Sequence, residues 1–229
     1  MRMRGASTTI YSRLLIELPA AERVRAATIL ADCPAIELEA AAPRLHADFT
    51  TGALLILEAG FVVLRSADPF ARRSIVTCEA EAGSIVLPPS PEEVLVALER
   101  SRLTVVDAAA RAKLLALPGA AAWLVERLAL ALARRQEASG NLAATRHVER
   151  VRQVLLRLGR TYGHAAREGI RIDFPVSHAL LAEMVASSRE TVTRAVDELQ
   201  RGGFVTRSGS TYWLTSEPSA CLRERPHDV

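Results

Sequence analysis

The sequence predicts an α+β protein: N-terminal helices, an antiparallel barrel or double-sheet jelly roll, a long helix, and a helix-turn-helix followed by a hairpin wing. Three observations predict it. Short β-branched runs separated by Gly, Pro, Asp and Ser fill residues 44–107, a pattern of antiparallel β-architecture. Apolar residues recur at helical spacing on both sides of that region. Residues 176–214 then read as two short helices, a tight turn and a two-stranded hairpin. The chain has 229 residues, enough for one or two domains at ~150 residues each. Hydrophobic residues make up 49% and aromatics 4%, so Ala and Leu fill the core and favour helix.

The elements follow in order. Residues 8–40 read as helical, with Leu14, Leu15, Leu18, Val24, Ala27 and Leu30 at near-helical spacing. Pro19 splits that run, and Cys33-Pro34 closes it. Residues 52–60 and 61–65 read as strands meeting near Gly60, and 73–78, 84–87 and 103–107 as three more. Glu92–Glu99 fits either a short helix or another strand. Ala108–Leu117 is a short helix ended by Pro118-Gly119, and Ala120–Gln136 is a longer one. Leu124, Leu128, Ala131 and Leu132 form a stripe along it, packing on its own barrel or on a second copy of the chain.

His147 to about Tyr162 is amphipathic, with Val148, Val151, Leu155 and Leu158 inside and Arg150, Arg152, Arg157 and Arg160 largely outside. Ile170–Pro175 is extended. Ser177 caps a helix that runs to about Val185. Ala186-Ser-Ser188 turns the chain, and Arg189 to about Gln200 is a second helix ended by Gly202-Gly203. Phe204–Arg207 and Thr211–Leu214 alternate around Ser208-Gly209 as a hairpin. Trp123 and Trp213 read as packing residues.

Charge is unevenly placed. Residues 1–140 hold 16 basic and 16 acidic side chains, whereas residues 141–229 hold 13 and 10, so the whole net charge of +3 lies in the last part. Lys113 is the only lysine; the remaining cations are arginines, whose forks suit phosphates and guanine edges. Cys33, Cys78 and Cys221 are isolated, which points to a reducing, cytoplasmic setting. No long uncharged apolar run predicts a bilayer span, and no membrane role is expected. No nucleophile elbow, phosphate-binding Gly-Lys loop or His-Glu-x-x-His run is present, so no enzyme is expected and no catalytic residue is assigned. The five histidines show no ligand spacing, so no metal site is expected. Cys78 reads as a small core hydrophobe.

The helix-turn-helix carries the functional signal. Leu180, Leu181, Met184 and Val185 face inward from the first helix to meet Val192, Val196 and Leu199 of the second. The opposite face then presents Arg189, Glu190, Thr193, Arg194 and Asp197. Arginine pairs twice with guanine O6 and N7, and glutamate accepts from cytosine N4. Arg189, Glu190 and Arg194 are therefore the candidate base readers of double-stranded DNA. Ser188 and Thr191 are placed for phosphates, and Arg207 sits on a wing beside the backbone.

Ser-Ser-Arg-Glu-Thr-Val-Thr-Arg (187–194), followed by Leu199 and Gly-Gly-Phe-Val (202–205), resembles the winged helix-turn-helix of Crp/Fnr-type transcription regulators. Leu54–Gly60 with Val62-Val-Leu64 is similar to that family's early sensor strands, and the family's domain order is similar to the order seen over residues 45–215. The resemblance implies a sensor-like, cyclic-nucleotide-binding-like β-roll of jelly-roll type; with the N-terminal helices, which lie mostly outside the resemblance, that domain takes in residues 1–117. The resemblance further implies a dimerisation helix and hinge over 118–140 and a winged helix-turn-helix over 141–217; residues 218–229 read as a loose tail. It assigns base reading to Arg189, Glu190 and Arg194, phosphate contacts to Ser177, Ser188 and Thr191, and dimer contact to Leu124, Leu128, Ala131 and Leu132. A homodimer on a palindromic site, with RNA polymerase as a further partner, is the implied function.

One region departs from the family. Its cyclic-nucleotide-binding members hold a phosphate with a Gly-Glu pair and a later Arg. Here the matching stretch runs from Gly83-Ser84 through Pro88, Pro89 and Pro91 to Glu92-Glu93, with no Gly-Glu step. Arg100 and Arg102 lie nearby without a backbone cradle. The expectation is a sensor that does not bind cyclic AMP and takes another effector or none, with no cofactor. Three scattered cysteines do not match the four ligands usual for an iron–sulfur cluster. His178 and Ser210 stand where the family often has a basic residue. A second reading is a ligand-binding or protein-interaction module whose helix-turn-helix no longer reads DNA.

Overall fold

The computed structural model describes residues 12–50, 52–68, 73–140, 146–167, 169–209 and 211–215. The expected C-terminal tail, Cys221 and Ser210 lie outside the described residues. The chain divides into two compact units, residues 1–67 with 76–137 and residues 68–75 with 138–229.

The first unit opens with α1 (Ser12–Glu17) and α2 (Ala20–Ala31), separated at Pro19 as its missing N–H dictates. The expected helix to residue 40 is corrected: after Cys33-Pro34 the chain forms β1 (Ala35–Leu38) and β2 (Pro43–Leu45). These strands are too short to show a period of two, and β1 forms only because a later strand pairs with it, Ala35 opposite Thr104 and Leu38 opposite Ser101. Then come β3 (Leu54–Ala59), β4 (Phe61–Asp68), β5 (Arg73–Glu81), β6 (Ile85–Val86), β7 (Glu93–Ala97) and β8 (Ser101–Val106). They make two four-stranded sheets, β1-β8-β3-β6 and β2-β7-β4-β5, which is the double-sheet alternative. Within Glu92–Glu99, residues Glu93–Ala97 form strand β7, which lies between β2 and β4. Gly60 turns β3 into β4 at φ +86°, where a Cβ would strike Ser101 and the Arg100 carbonyl.

Both faces of β3 are buried. Leu55 and Leu57 join Leu103, Val62, Leu64 and Leu95 between the sheets. Leu54 and Ile56 project the other way, with Ile85 and Val106, against the helices. That explains a strand that reads as an unbroken apolar run rather than an alternation.

Two helices follow, α3 (Ala108–Leu115), capped by Asp107 on the Ala110 N–H at 2.7 Å, and α4 (Pro118–Gly140). Pro118 begins α4 instead of ending α3, since the first helical position needs no N–H. Trp123 is buried, as expected, and its Nε1 donates to Glu17 at 2.8 Å. The apolar stripe of α4 divides. Leu124 is 2% exposed and packs with α2 and α3 residues, Leu128 lies against the same cluster, and Ala131 is buried. Leu132 is 53% and Val125 65% exposed. Leu124 thus packs on its own barrel, one of the two expected alternatives, with its partners inside its own unit.

In the second unit α5 (His147–Tyr162) leads to β9 (Gly163–Ala166) and β10 (Gly169–Ile172). Then come α6 (His178–Met184), α7 (Arg189–Arg201), β11 (Val205–Ser208) and β12 (Thr211–Leu214). The strands order as β11-β12-β10-β9. β9 was not expected from its sequence, Gly-His-Ala-Ala, and exists through its pairing with β10. Val151, Val154, Leu155 and Leu158 of α5 are buried, as are Leu180, Leu181 and Met184 of α6 and Val192, Val196 and Leu199 of α7. Tyr162 stacks on Phe174 with centroids 4.9 Å apart. Two α5 arginines depart from the expected outward placement. Arg150 donates to the Val185 carbonyl at 2.9 Å, and Arg152 lies over the Phe204 ring at 5.2 Å while pairing with Glu149 at 3.2 Å. A long stem lets arginine cover apolar surface in this way.

Candidate nucleic-acid interface

The second helix of the motif is placed by its cap and its turn. Ser188 Oγ accepts from the Thr191 N–H at 3.1 Å and lies 3.0 Å from Thr191 Oγ1. Ser177 Oγ accepts from the Leu180 N–H at 3.0 Å, opening α6. The hydroxyls that the sequence reading sets at phosphates thus also cap the two helices, satisfying N–H groups that have no partner within a helix. Between the helices Ala186 adopts φ +48°, a left-handed conformation uncommon for a residue with a Cβ. The Ser187 N–H donates to the Ala182 carbonyl at 2.9 Å, closing the turn.

With Val192, Ala195, Val196 and Leu199 buried, the helical period leaves Arg189, Glu190, Arg194 and Asp197 exposed. The Glu190 carboxylate is held below the usual range by its own backbone N–H and the Ser188 hydroxyl, with Arg189 and Arg194 adding to the effect. That favours the ionised carboxylate, an acceptor on the same exposed face as Arg189 and Arg194. Arg207 is exposed on β11, its guanidinium 5.4 Å above the Tyr212 ring.

His178, which stands where the related family often has a basic residue, belongs to this surface although it is not among the expected DNA-contacting residues. Its Nδ1 lies 2.9 Å from Thr193 Oγ1, and that hydroxyl donates to the Arg189 carbonyl at 2.9 Å. Burial lowers its pKa, Arg207 and Arg189 push the same way, and Asp197 opposes them. The sequence signal was its place immediately after the α6 cap, opposite Thr193 one helix later.

In the first unit the stretch lacking a Gly-Glu step is tied to α4. Arg134 donates to Ser84 Oγ at 2.7 Å, and Arg135 pairs with Glu93 at 2.5 Å. Glu93 also accepts from the Ser90 N–H at 3.0 Å and the Thr77 hydroxyl at 2.6 Å. Arg102 is committed to Glu37 at 2.9 Å and Glu58 at 3.0 Å. Cys78 lies in the core cluster between the sheets. Cys33 is half-buried, with its thiol pushed up by burial and by Asp107 and Asp32. Among the described residues no group of three His, Cys, Asp or Glu side chains is placed to hold a metal, and no single helix is long and apolar enough to cross a membrane.

Residues 149–218 match the Crp-like helix-turn-helix domain. A 52-residue stretch is 44% identical to the global nitrogen regulator of Synechocystis sp., covering 23% of each chain, so the match spans about a quarter of that relative. Solved structures share the fold. A CooA mutant from Carboxydothermus hydrogenoformans superposes with a TM-score of 0.69 at 16% identity, over 82% of this chain and 85% of that one. The c-di-GMP-responsive global regulator CLP of Xanthomonas campestris gives 0.62 at 18% identity, over 84% and 99%. A CRP-family transcriptional regulator from Thermus thermophilus gives 0.59 at 19%, over 79% and 92%.

Proposed function

From the premise that residues 149–218 are a Crp-like helix-turn-helix domain in a chain with the fold of Crp/Fnr-type regulators, we propose that this protein is a sequence-specific, DNA-binding transcription regulator. The observation that carries the reading is the face of α7: Arg189, Glu190 and Arg194 stand in solvent, opposite a buried Val192, Val196 and Leu199. An exposed guanidinium pair around an ionised carboxylate supplies both donors and an acceptor for base edges in a major groove. Ser177, Ser188, Thr191 and Arg207 lie on the same motif and serve the backbone.

The protein acts as a homodimer on a palindromic site. The exposed Val125, Leu130 and Leu132 on α4 are apolar residues available for a second copy, whereas Leu124 stabilises its own unit. The sensor does not take cyclic AMP: Arg134 and Arg135 already occupy Ser84 and Glu93, and Arg102 is held by two carboxylates. RNA polymerase is the further partner, and no enzymatic step is part of the function.

Selection from random duplex DNA by the purified chain, without added ligand, tests the reading. Enrichment of a palindrome whose half-sites lie about one helical turn, ~34 Å, apart supports it. Failure to enrich any sequence, alone or with cyclic nucleotides and cell extract added, overturns it.

A further inference from the structure

We propose that DNA binding by this chain takes up a proton at His178, so that its affinity for DNA rises as pH falls. The inference rests on the DNA-binding reading above and deepens it by naming a residue that tunes the interface.

The argument starts from one hydroxyl. Thr193 Oγ1 lies 2.9 Å from the Arg189 carbonyl, which only accepts. The single hydroxyl proton goes there. His178 Nδ1, 2.9 Å from the same oxygen, must therefore be the donor. In the neutral ring this leaves Nε2 bare. That atom is buried and has no hydrogen-bond partner among the described residues.

A proton added at Nε2 makes an imidazolium among charges from two neighbouring elements. Arg207 comes from β11, and Arg189 and Asp197 come from α7. Burial, together with two cations against one anion, holds the pKa of the ring below the ordinary histidine value in the free chain. A DNA phosphate drawn to Arg189 or Arg207 reverses that balance, because its charge offsets the guanidiniums and favours the imidazolium.

The pKa of His178 then lies higher in the complex than in the free chain. Between those two values binding takes up a proton and affinity falls as pH rises; above both, pH has no effect. One proton sets a ceiling of about tenfold in Kd per pH unit.

The test is fluorescence anisotropy with a random-sequence duplex at constant low ionic strength, from roughly pH 5 to 8, for wild type and His178→Gln. Glutamine keeps an N–H for Thr193 and does not titrate. Wild type should bind more weakly as pH rises, by up to about tenfold per unit, and His178→Gln should be flat over the same range. Ring NMR gives a second readout: His178 should titrate below the ordinary histidine range in the free chain and move upward when the duplex is added. Equal pH slopes in the two proteins, or a His178 titration that the duplex does not move, would overturn the proposal while leaving DNA binding intact. Absence of any binding by wild type at every pH would instead overturn the reading beneath it.

Discussion

Glu22 caps the long helix of the first unit from far along the chain: its carboxylate accepts from the Gly119 N–H at 3.0 Å and the Ala120 N–H at 3.1 Å. Gly119 allows the approach, since a Cβ there would press on Pro19 and Glu22. The N-terminal helices thereby hold the first turn of α4, and Glu17 holds the next turns through Trp123 and Arg127, at 2.8 and 2.6 Å.

Glu22→Ala should destabilise the first unit by about 1 kcal/mol, the usual worth of a cap carboxylate at a helix N-terminus. Chemical denaturation followed at Trp123, which is packed beside that cap, reads the change. An unchanged midpoint would mean that water replaces the carboxylate at no loss.

Arg189→Ala should weaken binding to the selected palindrome by about 1–3 kcal/mol and relax preference at one base position. Binding to a panel of single-base variants separates base reading from backbone contact. A loss of equal size on every duplex would move Arg189 to the backbone set.

Ala186→Gly should stabilise the second unit by about 0.5–1 kcal/mol. The residue sits at φ +48°, where a Cβ is strained and glycine is not. Thermal unfolding of the variant measures it, and a lower melting temperature would show that the flexibility added to the unfolded chain outweighs the relief.

Glu93 sets an acid limit on the first unit. Burial pushes its pKa up, yet the Ser90 N–H, the Thr77 hydroxyl and the Arg135 guanidinium outweigh burial and hold it below the ordinary value. A lowered folded pKa contributes stability that is present above the unfolded value and lost as pH falls through the folded one. Denaturant midpoints measured from pH 6 down to about 3, across the ordinary glutamate pKa, should drop more steeply for wild type than for Glu93→Gln. The variant should also be about 1–2 kcal/mol less stable at neutral pH, having exchanged a charge-assisted bond for a neutral one. Parallel curves would remove Glu93 from the acid response.

Much of the helical architecture was legible because its signals are local. His147–Tyr162 and the two helices of the motif follow from apolar spacing and from the Ser177 and Ser188 caps, which lie within three residues of the N–H groups they bind. The faces of α7 were legible for the same reason: once Val192, Val196 and Leu199 turn inward, the helical period leaves Arg189, Glu190 and Arg194 outside.

The short strands were not legible. β1 and β9 carry no pattern of their own and form because β8 and β10 offer unpaired backbone groups beside them. Nor did composition distinguish Leu124 from Leu132, two leucines on one helix. Packing by α2 and α3 around the outer face of β3 buries the first and leaves the second in solvent. Nor does local sequence show that β7 turns Glu93 inward toward Thr77 and Arg135.

The sequence by itself determined most of the helices, the longer strands, the helix-turn-helix and the chemistry of its exposed face, because a helix carries its period and its caps within a few residues. Tertiary structure alone decided which acidic and basic side chains pair, which leucines of α4 stay in solvent, and how His178 is set beside Thr193, Arg189 and Arg207. Those outcomes depend on groups distant in the chain meeting at a few ångströms, where burial and Coulomb energy act and no local pattern records the result.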